Sequence, residues 1–131
     1  VKKICEENNI DFFAYSPLSF GILCIDPDKD ENKENSFIRN ALLENYKQPT
    51  YELRCCLKRI ANQRSVSQAQ VAINWCCYQG AIPLVGMRKK SQVIDVSNVF
   101  KWNLTKYEFN LLQEVSQNCL KKMPKNPFSS N

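Results

Sequence analysis

An α/β fold with a parallel sheet is what this 131-residue sequence predicts, and three observations carry the prediction. Two short apolar runs, at 10–15 and 81–85, are each bounded by turn-forming residues. Segments with helical spacing of apolar residues lie between those runs and after the second one. The helical segments open on capping residues, Ser67 and Thr105, and the first of them stops at Gly80. Strands that alternate with helices imply right-handed crossovers, and right-handed crossovers imply parallel strands.

The elements follow in order. Val1-Lys2-Lys3-Ile4-Cys5-Glu6-Glu7 reads as the end of an amphipathic helix that opens without a methionine, so the expectation is a chain that continues upstream. Asn8-Asn9 stops it. Ile10-Asp11-Phe12-Phe13-Ala14-Tyr15 is then a strand apolar enough to be buried on both faces, and Ser16-Pro17-Leu18 breaks it. The polar, charge-mixed stretch at 26–36 is expected to be a mobile loop. From Tyr51, residues Leu53, Cys56, Leu57, Ile60 and Ala61 share one helix face. Ser67-Gln68-Ala69-Gln70 is a capping box that starts a helix running to about Tyr78, which Gly80 ends in a left-handed conformation. Ala81-Ile82-Pro83-Leu84-Val85 is the second buried strand, its proline near the beginning, where a missing donor is tolerated. A helix from Ser91 to about Asn98 follows. Thr105-x-x-Glu108 is a second capping box, opening a helix with Phe109, Leu112 and Val115 on its inner face.

Composition excludes several classes. No apolar run approaches the roughly 20 residues that cross a bilayer, so no membrane role is expected. The net charge is +5, but the cations are scattered rather than interleaved with aromatics in a stripe, which argues against nucleic acid. Seven cysteines stand without a C-x-x-C and without any histidine, an arrangement that predicts no metal site. Their odd number, the adjacent pairs Cys55-Cys56 and Cys76-Cys77, and their apolar surroundings predict reduced, buried thiols in a reducing compartment.

Ligand chemistry concentrates where a strand ends and a loop begins, because barrels and doubly wound sheets bind at that edge. After the first strand, Ala14-Tyr15-Ser16-Pro17-Leu18-Ser19-Phe20-Gly21 sets an aromatic ring at the strand tip. Small residues and a glycine follow, which let backbone amides approach an anion. After the second strand, Gly86-Met87-Arg88-Lys89-Lys90-Ser91-Gln92 brings a glycine and three cations to the start of a helix, whose open amides favour phosphate. Taken alone, Tyr15 reads as a core aromatic and Arg88 to Lys90 as a solvated charge run; it is their neighbours that turn both toward a ligand.

Four ordered motifs carry a resemblance. Ala14-Tyr15-Ser16-Pro17-Leu18-x-x-Gly21, Ser67-x-x-Gln70-Val71-Ala72-Ile73-Asn74-Trp75, Ile82-Pro83-x-Val85-Gly86-x-Arg88-x-x-x-Gln92 and Trp102-x-Leu104-Thr105 follow, in order and spacing, the C-terminal part of aldo-keto reductases. From Leu53 to Phe109 the sequence looks most like plant plastid and pyridoxal-reductase-type members.

The resemblance implies the C-terminal portion of a (β/α)8 TIM barrel, its last two βα units, with residues 1–131 forming that segment. It implies a nicotinamide cofactor, NADP, and a small-molecule carbonyl substrate. By this likeness Tyr15 stacks on the nicotinamide ring, Ser16, Leu18 and Gly21 line the pyrophosphate, and Gly86, Met87 and Arg88 form the loop at the adenosine phosphates. Gln92 and Asp95 contact adenosine. A guanidinium at Arg88 can hold a phosphate bidentately, which favours NADP over NAD. Two positions depart from the family pattern: Val96 stands where asparagine is usual, and Asn98 where a small residue is, so one adenine hydrogen bond fewer is expected. The family's catalytic aspartate, tyrosine, lysine and histidine come from earlier strands, so no catalytic residue is assigned in this segment, and alone it is expected to be inactive. The alternative is a non-enzymatic nucleotide sensor or partner subunit of the potassium-channel β-subunit type. A cytoplasmic setting is expected, with a plastid-type organelle as the other possibility. Open sheet edges predict self-association of the segment by itself.

Overall fold

A computed structural model describes residues 2–29 and 37–123. Helix α1 (Lys2–Glu7) is a solvated stub with i,i+4 pairs, Lys2 to Glu6 at 3.2 Å and Lys3 to Glu7 at 3.8 Å. Asn8 turns its amide back onto the Ile4 carbonyl at 2.8 Å, and Asn9 adopts a left-handed φ of 53°, so the helix stops where the paired asparagines predict.

Strand β1 (Phe13–Tyr15) pairs in parallel with β2 (Ile82–Leu84), in the register Phe13 to Ile82, Ala14 to Pro83 and Tyr15 to Leu84. Both strands are shorter than the apolar runs that predict them, because a ladder forms only where the two segments run side by side. The expectation of burial on both faces is not met. Phe13, Tyr15, Ile82 and Leu84 all point from one face into solvent, Tyr15 at 80 % exposure. The sheet has two strands among the described residues, so that face has nothing to lie against.

The core lies instead among the helices. Helix α3 (Tyr51–Arg64) buries Leu53, Cys56, Leu57, Ile60 and Ala61, the face that the periodicity marks out. It packs on α4 (Gln68–Tyr78) and on the long α6 (Lys106–Lys122), whose Leu112 and Cys119 complete the cluster with Val71, Ala72 and Leu104. Phe109 is half-buried and stacks on Tyr78 at 4.3 Å between ring centroids. Gly80 takes a φ of +76° just past α4, as its placement predicts. Thr105 and Glu108 form the full capping box. At α4 the box is only half made: Ser67 Oγ accepts from the Gln70 amide at 3.1 Å, but the Gln70 side chain turns away from the cap.

Helix α2 (Phe37–Tyr46) has no counterpart in the sequence reading, and α5 (Lys90–Ser97) matches its prediction within a residue. Two short 3-10 turns, Ser19–Cys24 and Val99–Lys101, follow β1 and α5. Of the loop expected at 26–36, residues 26–29 are described: Lys58 on α3 donates to Asp26 at 2.6 Å and to Asp28 at 2.7 Å. That pairing lowers the Asp26 pKa and raises that of Lys58. The rest of that loop lies outside the described residues. The cysteines form no disulfide with one another; the expectation of burial holds for Cys56 and Cys119 alone, and Cys24 is exposed. Burial raises the thiol pKa at Cys56, Cys76, Cys77 and Cys119.

Candidate functional site

Parallel pairing sends the chain out of both strands at the same sheet edge, so the loop after Tyr15 and the loop after Leu84 emerge side by side. The first loop is tightly wound. Ser16, Ser19 and Phe20 all hold left-handed φ values, 52°, 48° and 56°, and Gly21 follows at 88°. Such conformations cost L-residues roughly 1 kcal/mol or more each and persist where the surroundings dictate them. The surroundings here are specific. Ser19 N–H donates to the Ser16 carbonyl at 2.9 Å and Gly21 N–H to the Leu18 carbonyl at 2.9 Å. Ile22, Leu23 and Ile25 are buried beneath, and Gln68 Nε2 from α4 holds the Leu23 and Ile25 carbonyls at 3.2 and 3.3 Å. Leu18 packs against the core cluster. The turn therefore presents Tyr15 and Phe20, both exposed, above a fixed base.

In the second loop Gly86 has no neighbour within 4 Å of where a Cβ would stand, and its backbone is not left-handed. Its use is to leave open space at the strand end, rather than to permit an unusual turn. Met87 is exposed at 42 %, and Arg88, Lys89 and Lys90 are exposed with no ion pair to any described residue. The amides at the start of α5 are partly engaged: Gln92 Oε1 accepts from the backbone N–H of Arg88 at 2.8 Å and of Lys89 at 3.0 Å. The expectation of wholly open amides is thus corrected. The Gln92 side chain organises the backbone of the cationic loop.

Asp95 lies one turn further along α5. Both its oxygens face α4, accepting from Ser67 Oγ at 2.6 Å and from Gln70 Nε2 at 2.6 Å. Asn98 donates back to the Ile94 carbonyl of its own helix at 2.9 Å. Ser67 and Gln70 were legible in the sequence as a capping pair and within one resemblance motif; their bonds to Asp95 are long-range and have no local signal. The structure brings Tyr15, Ser16, Leu18 and Gly21 together on one loop, and Gly86, Met87, Arg88 and Gln92 on its neighbour, with Asp95 set behind the second. Among the described residues no group of three or more histidine, cysteine, aspartate or glutamate side chains could hold a metal ion, and no helix is long and apolar enough to cross a membrane.

The sequence profile of the Aldo/keto reductase family matches residues 1–117. The chain is 31 % identical over 130 residues to the chloroplastic pyridoxal reductase of Arabidopsis thaliana, covering 99 % of this chain and 35 % of that protein. It is 29 % identical over 114 residues to Protein REDOX 2 of Catharanthus roseus, covering 86 % of this chain and 28 % of that one. The NADPH-dependent alpha-keto amide reductase of Saccharomyces cerevisiae is 26 % identical over 115 residues, 88 % of this chain and 30 % of its own length. The chain therefore spans about a third of the length of these relatives. All of it superposes on 41 % of the glycerol dehydrogenase from Gluconobacter oxydans, at a TM-score of 0.73 and 24 % identity. The fold is accordingly the C-terminal portion of a (β/α)8 barrel, with β1 and β2 its last two strands. With a profile match that runs from the first helix into α6, the chain belongs to the aldo/keto reductase family.

Proposed function

We propose that residues 1–131 are the cofactor-gripping part of an NADP-dependent reductase that acts on a small carbonyl compound. One observation carries the reading: exposed Tyr15 at the tip of β1 and three exposed cations beyond β2 share one sheet edge. That edge is where barrels of this kind bind ligands. The residues fit a dinucleotide in character. Tyr15 offers an exposed aromatic face to a planar ring, and the open space at Gly86 admits a phosphate close to the backbone. Arg88 can hold a phosphate with two parallel bonds, and Lys89 and Lys90 add positive charge beside the α5 N-terminus. Ser16, Leu18 and Gly21, together on the first loop, would line the pyrophosphate. A bound nicotinamide would supply the hydride, while these side chains bind it, orient it and keep its phosphates neutralised.

No residue of this segment is assigned to proton transfer, and the catalytic groups would come from other strands of the barrel. Two of the relatives are named as reductases, one of them as NADPH-dependent, in keeping with this reading. Free thiols suit a reducing compartment such as the cytoplasm or a plastid. A nucleotide-sensing or partner-subunit role of the potassium-channel β-subunit type is the second reading. It is favoured by the inward turn of Asp95 and the self-directed bond of Asn98, which leave few polar groups for adenine.

The test is NADPH consumption against a panel of aldehydes and ketones, measured for the full-length protein and for residues 1–131 alone. The proposal expects turnover by the first and none by the second. Turnover by the 131-residue segment would sink the assignment of catalysis to other strands, and NADPH binding without turnover by the full-length protein would favour the sensor.

A further inference from the structure

We infer that Gln70 is a positioning residue for the cofactor loop: by clasping Asp95 it sets helix α5, and through Gln92 the Arg88 and Lys89 backbone, in the arrangement that receives the adenosine phosphates. The inference rests on the cofactor reading above and adds to it a residue that touches no ligand.

Helix α5 needs such a device. None of its eight residues is buried, and Val93 and Ile94 face solvent at 50 % and 56 % exposure, so apolar packing does little to fix its direction. What ties it to α4 is polar. Asp95 accepts from Ser67 Oγ and from Gln70 Nε2, both at 2.6 Å, short bonds of the charge-assisted kind. Gln70 is itself 5 % exposed, and its amide is oriented from the other side, where Oε1 accepts from Trp102 Nε1 at 3.1 Å. Rotating that amide by half a turn would oppose its oxygen to the Asp95 carboxylate and its NH2 to the indole N–H, so only one orientation satisfies both neighbours. Trp102 is in turn held under the Arg64 guanidinium, 5.2 Å from its ring centroid. One turn before Asp95, on the same helix, Gln92 binds the Arg88 and Lys89 amides. The core is thus linked to the cationic loop through a chain of directed bonds.

The experiment uses the full-length protein, with NADPH affinity measured by fluorescence titration and kcat at saturating NADPH. Gln70→Leu keeps most of the volume and removes both bonds. NADPH binding is expected to weaken about tenfold, the scale of one charge-assisted hydrogen bond, with kcat changing by less than about twofold. Asn74→Ala is the control. Asn74 is equally buried on α4, but its bonds run to Val99, Trp102 and Leu104 rather than to α5, so it should lower Tm and leave NADPH affinity unchanged. If Gln70 acts through Asp95, Gln70→Leu should weaken binding little further in an Asp95→Ala background. An unchanged affinity in Gln70→Leu, an affinity loss in the control that tracks its loss of Tm, or full additivity with Asp95→Ala would each overturn the inference while leaving the cofactor reading intact. A wild-type protein that does not bind NADPH would overturn both.

Discussion

Glu108 serves two partners at the start of α6. Its carboxylate accepts from Arg64 through both oxygens, at 2.8 and 2.7 Å, and from the Thr105 amide and hydroxyl at 2.7 and 2.8 Å. The Arg64 bonds above all, with help from Thr105, hold its pKa down from 4.5 to about 2. A carboxyl depressed in the folded state stabilises the fold above its unfolded pKa and loses that contribution as pH falls. Stability should therefore drop between about pH 4.5 and about pH 2, by about 2 kcal/mol from this group. Urea midpoints measured across that range should fall less steeply in Glu108→Gln than in the wild type; identical slopes would show that the pair carries no such weight. Thr105-x-x-Glu108 was legible as a cap because its spacing is local. Arg64 as the dominant partner was not, since 44 residues separate it from Glu108. Arg54 makes the same point. It is 1 % exposed on a helix face that sequence periodicity marks as apolar, and it reaches across seven residues to the Lys47 carbonyl at 2.8 Å.

At the scale of elements, the helices with strong periodicity or caps stand where the sequence puts them, and the discrepancies have physical causes. The α3 face is right because five apolar positions at helical spacing have one way to be buried together. Helix α2 was overlooked because Phe37–Tyr46 follows directly on a polar run that reads as loop. The strands came out short because strand length depends on a neighbour's register, which a single apolar run does not encode. Gly80 allows a sharp test of a turn that was read correctly. A methyl group there would meet nothing closer than Glu6 Oε1 at 3.8 Å, so space is no obstacle and the whole penalty lies in the φ of +76°. Gly80→Ala should cost about 1 kcal/mol by thermal or urea unfolding. A neutral result would mean that the α4 terminus relaxes to a different turn.

For the whole molecule, the exposed sheet face is the feature to explain. Phe13, Tyr15, Ile82 and Leu84 are four large side chains on one side of a two-stranded sheet, and the remaining barrel strands of the family would enclose that side, with Tyr15 at its open C-terminal mouth. Residues 1–131 by themselves should therefore self-associate, through that face or through the open strand edges. Light scattering at increasing concentration checks this: growth beyond the monomer mass is expected, and a stable monomer at high concentration would contradict it. The candidate site was more legible than the sheet that carries it. Both loops announce themselves by local chemistry, a strand-tip aromatic followed by small residues and a glycine followed by cations. The clasp behind the second loop depends on contacts between α4 and α5 that no local pattern records.

The cofactor grip is the central claim, and titrating the full-length protein with NADPH and with NADH tests it most directly, followed by tyrosine and tryptophan fluorescence and repeated on Arg88→Ala. The account predicts that NADPH binds more tightly than NADH, and that Arg88→Ala loses most of that preference, by roughly tenfold or more in affinity. Equal binding of the two nucleotides, or NADPH binding that Arg88→Ala leaves untouched, would contradict the assignment of the loop at 86–92 to the adenosine phosphates.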